Sequence, residues 1–126
     1  MAQSTPEIRA LRRKLRALRL SLPRAERRKA ERSVSDTLRQ LKLLRRGHRV
    51  AVYLAMPGEV DLGPTIEAGW RAGCLLHVPR IANRRRGRMG FVPFPPGARL
   101  RANPNASGIA EPVASADAAI SPRTLD

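Results

Sequence analysis

Aromatic side chains are scarce in this chain, with one Trp, one Tyr and two Phe among 126 residues. Its core must therefore be aliphatic, built from Leu, Val, Ile and Ala. The same scarcity argues against a single-stranded nucleic-acid platform, which stacks bases on interleaved aromatic rings. Cys74 is the only cysteine. That excludes an internal disulfide and a cysteine-based zinc cluster. The longest apolar run, Val50 to Met56, is far too short to span a bilayer. The opening MAQSTPEIR lacks an apolar h-region, so no secretory signal is expected and a cytoplasmic protein is. There is no Gly-x-x-x-x-Gly-Lys and no Gly-x-Gly-x-x-Gly, so a glycine-rich phosphate cradle is not expected within these residues. Acidic residues are few, 10 against 25 Lys and Arg, which leaves a formal charge of +15. A balance this basic implies an anionic partner, an arginine-rich host proteome, or both.

An apolar content of 42% is enough for a modest core, and the length suits a single domain over 1–126. Sixteen of the 25 cationic residues lie before position 50, which separates a basic helical part, 1–48, from an α/β part, 49–126. Ser4-Thr5-Pro6-Glu7 has capping-box spacing and a proline suited to a first turn. Ile8, Leu11, Leu15, Leu18 and Leu22 follow at steps of three and four, the stripe of an amphipathic helix. Ser21-Leu22-Pro23 ends it. A second helix is expected from about Arg24 to Leu44, closed by Arg45-Arg46-Gly47-His48.

Arg49 to Ala55 reads as a strand apolar on both faces, as in a covered parallel sheet. Asp61 suits the N-cap of a helix over Leu62 to Ala72, with Gly73 past its end. Leu75 to Val78 is a second strand. Strand, helix and strand at this spacing make a βαβ unit. Arg84, Arg85, Arg86 and Arg88 mark a basic loop. Met89 to Phe94 reads as a third strand at a sheet edge, because Pro93 interrupts it. Pro95 to Ser107 reads as irregular loop, and Val113 to Ile120 is ambiguous.

Two carboxylates, Glu59 and Asp61, stand where the first strand exits, the place where open α/β sheets bind ligands. Either could receive a cationic or amide-bearing group or act as acid and base; a cap explains Asp61 equally well. His48 and His77 have no ligand-spaced partners, so a metal site is not expected. Cys74 reads as a small core residue. Arg9, Arg12, Arg13 and Arg16 share one side of the first helix. They could fork onto nucleotide phosphates, bind nucleic acid nonspecifically, or form a solvated face.

Several segments together carry a resemblance. They are Leu11-Arg12 and Leu20-Ser21 in the basic part; Val50-Ala51-Val52-Tyr53-Leu54-Ala55-Met56-Pro57-Gly58-Glu59-Val60-Asp61; Trp70-Arg71-Ala72-Gly73; Val78-Pro79-Arg80; Met89-Gly90-Phe91; and Gly108-Ile109-Ala110-Glu111-Pro112. In this order and spacing the chain resembles the 5-formyltetrahydrofolate cyclo-ligase family, also called 5,10-methenyltetrahydrofolate synthetases. The resemblance implies a three-layer α/β/α domain with a mainly parallel sheet, incomplete at its C-terminus and preceded by the two basic helices. It implies ATP- and Mg2+-dependent closure of 5-formyltetrahydrofolate to 5,10-methenyltetrahydrofolate, with ADP and phosphate released. By position, Arg9 and Arg12 would hold ATP, and Tyr53, Leu54, Met56 and Glu59 would line the folate site. The family's glycine-rich phosphate and magnesium loop would lie beyond Asp126, leaving no metal ligand in this chain. Ile8 stands where the family usually has an ATP-contacting Lys. The protein is expected to be a monomer without a membrane or nucleic-acid partner. The alternatives are an inactive, truncated remnant of the family and a basic nucleic-acid-binding module.

Overall fold

The computed structural model describes residues 4–83, 87–103, 109–113 and 118–126. The expected basic loop at Arg84, Arg85 and Arg86, residues 104–107 of the expected irregular loop, Gly108, and residues 114–117 of the ambiguous stretch lie outside the described residues.

The N-terminal signals give helix α1, Pro6–Leu20. Thr5, rather than Ser4, supplies the cap: its side chain accepts from the Ile8 N–H at 3.4 Å. Pro6 tolerates the first turn because its missing N–H would have had no helical partner there. Helix α2 spans Arg24–Gln40, four residues short of the expected Leu44. Leu41 forms the C-cap, and Lys42 turns to a φ of 56°, a backbone state that cannot continue a right-handed helix. Strand β1 is Arg49–Ala51. Helix α3 is Gly63–Ala72, with Pro64 in its first turn and Gly73 at a φ of 82° past its end. Asp61 does not cap α3 directly. Its carboxylate accepts from the Gly63 N–H at 2.9 Å and holds a tight turn just ahead of Leu62, the N-cap residue.

Strand β2, Leu75–Asn83, pairs parallel with β1 in the register Arg49–Leu75, Val50–Leu76 and Ala51–His77. Strand β3, Arg88–Pro93, pairs antiparallel with β2, with Val92 opposite Val78. The three-stranded sheet, in the order β1-β2-β3, is therefore mixed, not mainly parallel. The connection from Asn83 to Arg88 is the reason: a parallel return needs a crossover of about a dozen residues or more, and a few residues can only make a hairpin. Strands β4, Leu100–Asn103, and β5, Ile109–Pro112, form a separate antiparallel pair. Strand β4 falls inside the stretch expected to be irregular loop.

The expectation of a strand covered on both faces also needs correcting. β1 is only three residues long and none of them is buried. β2 is the central strand, and its consecutive Leu76, His77 and Val78 are all buried. The buried core is Val52, Ile66, Cys74, Leu76, Val78, Val92 and Phe94. Such aliphatic burial contributes about 1.5–3 kcal/mol per large side chain. α3 packs on β2, and α2 packs on α3. The single Trp, Trp70, lies against Phe94 with ring centroids 5.4 Å apart and donates its indole N–H to the Phe94 carbonyl at 2.9 Å. That contact fastens α3 to the segment leaving β3.

Residues 118–126 touch the outer edge of β3 at one residue and the outer edge of β1 at another. On the outer side of β3, Phe91 and Ile120 exchange two backbone hydrogen bonds, at 2.9 and 2.8 Å. A 3-10 turn, Pro122–Thr124, follows. On the outer side of β1, Asp126 donates its N–H to the Arg49 carbonyl at 2.9 Å, and its carboxylate accepts the Arg49 N–H at 2.7 Å.

Candidate functional site

β1 and β2 run side by side in the same direction and deliver the chain to one end of the sheet. There the residues after Val52 turn away from the ladder. Tyr53 donates its hydroxyl to the Val60 carbonyl at 2.9 Å, closing the segment 53–60 into a loop. Inside that loop Glu59 folds back on Met56. Its backbone N–H donates to the Met56 carbonyl at 3.0 Å, and its carboxylate accepts the Met56 N–H at 3.0 Å. Gly58 makes the turn at a φ of 89°, and a side chain there would also press on Leu20 of α1 at 3.3 Å. The positive φ is what favours glycine at this position.

The loop forms one wall of a cleft of about 420 Å³. Tyr53, Leu54, Met56 and Glu59 line it, all four residues singled out from the sequence. The opposite wall comes from β2 and β5: Val78 and Pro79, with Ile109 and Ala110. The sequence reading did not assign these four to the site. A signal was present, because they belong to the Val78-Pro79-Arg80 and Ile109-Ala110-Glu111-Pro112 segments.

The lining is mostly apolar, with one carboxylate. A carboxylate offers about four acceptor positions, so the Met56 N–H leaves Glu59 capacity for N–H groups of a ligand. Tyr53 is held protonated. Its partial burial, with the charges of Glu59 and Asp61 nearby, raises its pKa above the usual phenol value. At neutral pH its hydroxyl braces the loop and is poorly suited to act as a base.

Arg9 and Arg12 are not part of the cleft lining. They sit on α1, where every residue is exposed, and an Arg9 guanidinium N–H donates to the Ser4 carbonyl at 2.6 Å. The C-terminal end of α1 meets the Gly58 loop through Leu20. At a 1.5 Å rise per residue, Arg12 and Arg9 lie roughly 12 and 16 Å back along the helix axis from Leu20.

His77 is buried, and its Nδ1 lies 3.0 Å from the Leu75 carbonyl, so it is packed within the sheet. Cys74 is buried too. Its thiol donates to the Arg45 carbonyl at 3.2 Å, and burial pushes its pKa up. Among the described residues, no group of three or more His, Cys, Asp or Glu could hold a metal ion. No described helix is long and apolar enough to cross a membrane.

The model of the 5-formyltetrahydrofolate cyclo-ligase family matches residues 4–125. Two relatives, the 5-formyltetrahydrofolate cyclo-ligases of Escherichia coli K12 and O157:H7, are each 38% identical over 56 residues. That alignment covers 44% of this chain and 31% of each relative. Among solved structures, the NMR structure of Aquifex aeolicus 5,10-methenyltetrahydrofolate synthetase superposes with a TM-score of 0.69 at 26% identity. The match covers 93% of this chain and 56% of that one. The chain thus spans about a third of the curated relatives it matches and about half of the solved relative.

Proposed function

The chain belongs to the 5-formyltetrahydrofolate cyclo-ligase family, and from that premise we propose that its cleft takes 5-formyltetrahydrofolate for ATP-dependent closure to 5,10-methenyltetrahydrofolate. One observation carries the reading. The four residues expected to contact folate, Tyr53, Leu54, Met56 and Glu59, converge on one cleft beyond the carboxyl end of a parallel strand pair. Its volume of about 420 Å³ falls within the range of roughly 300–1,000 Å³ usual for small-molecule sites.

The roles follow from the chemistry of the substrate. The flat pterin ring would lie against the apolar walls of Leu54, Met56 and Val78. Glu59 would accept ring N–H groups, a charge-assisted contact that fixes orientation. The formyl group on N5 is amide-like, and its oxygen is a poor leaving group. Transfer of the terminal phosphoryl group of ATP to that oxygen, with ADP released, makes it a good one. N10 then attacks the formyl carbon and gives up its proton to the departing phosphate or to water, the C–O bond breaks, and phosphate leaves with the ring closed. Nothing here demands a nucleophile from the protein. Catalysis rests on positioning and charge neutralisation.

Arg9 and Arg12 are the proposed phosphate contacts, through guanidinium forks. In this reading 1–48 carries the cationic surface and 49–126 carries the folate cleft. Magnesium would shield phosphate charge during transfer. Among the described residues there is no carboxylate cluster to hold it.

The test is thermal stability of the purified chain with 5-formyltetrahydrofolate alone and then with MgATP added. A ligand at a hundred times its Kd should stabilise the protein by about 2.7 kcal/mol. A folded protein that does not respond to the folate would end this reading. A response to folate but none to MgATP would keep the cleft and remove Arg9 and Arg12 as sufficient nucleotide contacts.

A further inference from the structure

The second wall of the cleft belongs to a different sheet from the first. Ile109 and Ala110 are on β5, whose ladder partner is β4. The β4–β5 pair meets the main sheet along β2. At that junction lies a carboxylate that the proposed chemistry does not use. Glu111, next to Ala110, has a side chain only 7% exposed. Its Oε1 lies 3.9 Å from the Nε of Arg80 on β2 and 3.9 Å from the Nε of Arg101 on β4. Arg101 and Glu111 are cross-strand partners, so that contact is internal to the hairpin. Arg80 adjoins Pro79 on the main sheet, so the other contact spans the two sheets. One carboxylate oxygen thus joins three strands, and the residues beside it, Pro79 and Ala110, are both cleft-lining.

We infer that Glu111 is a positioning residue: it latches the β4–β5 hairpin onto β2 through Arg80 and so fixes the width of the cleft. The inference rests on the folate reading only for the identity of the ligand. A charge this deeply buried is costly unless it is paired, and of Arg80 and Arg101 only Arg80 lies on the main sheet. Arg80 is itself largely covered, with 20% of its side chain exposed, whereas Arg101 is 53% exposed. Water screens the Arg101 contact more strongly. The inter-sheet contact is therefore the less screened of the two.

The test compares Glu111→Gln, which removes the charge and keeps the shape, with Asp36→Asn, which removes an exposed ion pair with Arg39 far from the cleft. Amide hydrogen exchange is followed strand by strand, together with the affinity for 5-formyltetrahydrofolate. The latch predicts exchange faster by about tenfold or more at Leu100–Asn103 and Ile109–Glu111, with Val78 and Val92 unchanged. It predicts folate affinity weakened by about tenfold, because a displaced wall loses orientation as well as contact. Arg80→Lys, which keeps the charge, should stay near wild type, while Arg80→Met should behave like Glu111→Gln. Equal acceleration in every strand would show a general stability effect and overturn the latch. So would unchanged exchange in the hairpin. If the unaltered protein binds no folate, the folate reading fails, and exchange alone judges the latch.

Discussion

Helices α1 and α3 make an instructive pair. α1 has the cleaner amphipathic pattern, yet it buries nothing: Ile8, Leu11, Leu15 and Leu18 are 43–55% exposed. α3 is shorter, carries two glycines and a proline, and buries Thr65, Ile66 and Gly69. Periodicity reports that a helix has an apolar face. It does not report whether another face is available to cover it. α3 is delivered directly onto the sheet by the strands on either side of it, so it must pack there. α1 precedes the sheet by a whole helix, and near its end Leu20 lies against the Gly58 turn.

The sharpest way to break this contrast is to remove one apolar side chain from each helix. Ile66→Ala should cost about 2–5 kcal/mol, because it opens a cavity in the packed core. Leu15→Ala should stay within about 0.5 kcal/mol, as an exposed substitution does. Denaturant unfolding of the two variants decides, and equal losses would mean that α1 is packed in solution. A smaller effect is expected at the end of α3. Gly73→Ala places a Cβ in the left-handed region and 3.0 Å from the Arg46 Cγ, at a cost of about 1–2 kcal/mol. A neutral result in the same assay would mean that the helix end relaxes.

The smallest effect is on chemistry rather than stability. Cys74 opens the β2 side of the same junction, and burial raises its thiol pKa. A raised pKa means less thiolate at any given pH, so at pH 8 its reaction with a disulfide reagent should be slower than that of free cysteine by about tenfold or more. Denaturant should restore the ordinary rate. Fast modification of the folded protein would show that α3 opens from the sheet readily.

The same contrast explains what could be read from the sequence. Local signals survived well. Pro6, Pro23 and Gly73 each mark an element boundary through chemistry that acts within a few residues, although the cap of α1 is Thr5 and not Ser4. Of the cleft's first wall, Glu59 was legible from its place at a strand exit; Tyr53, Leu54 and Met56 came from the family resemblance, and the strand expected to run to Ala55 ends at Ala51. The second wall was not legible. It needs Ile109 and Ala110 brought from some fifty residues away by a hairpin whose first strand, β4, lies among Pro, Gly and Asn residues that read as irregular. Sheet direction was misjudged for a related reason. The βαβ pattern correctly gave β1 parallel to β2, and the short link from Asn83 to Arg88 reversed the next strand. Arg9 and Arg12 were named for ATP through the family resemblance, and they stand on the exposed helix α1, outside the cleft lining.

The scarcity of aromatic rings leaves the protein with two separate optical reporters. Trp70 is fixed between α3 and the Phe94 segment by a ring contact and an indole hydrogen bond. Its fluorescence follows the docking of α3 on the sheet and is insensitive to the exposed helix α1. Tyr53 stands in the cleft wall with its hydroxyl bound to the loop it closes. It is the single tyrosine of the chain, so a tyrosine signal from this protein belongs to the cleft wall. Core and cleft thus each carry one aromatic residue of a kind found nowhere else in the chain.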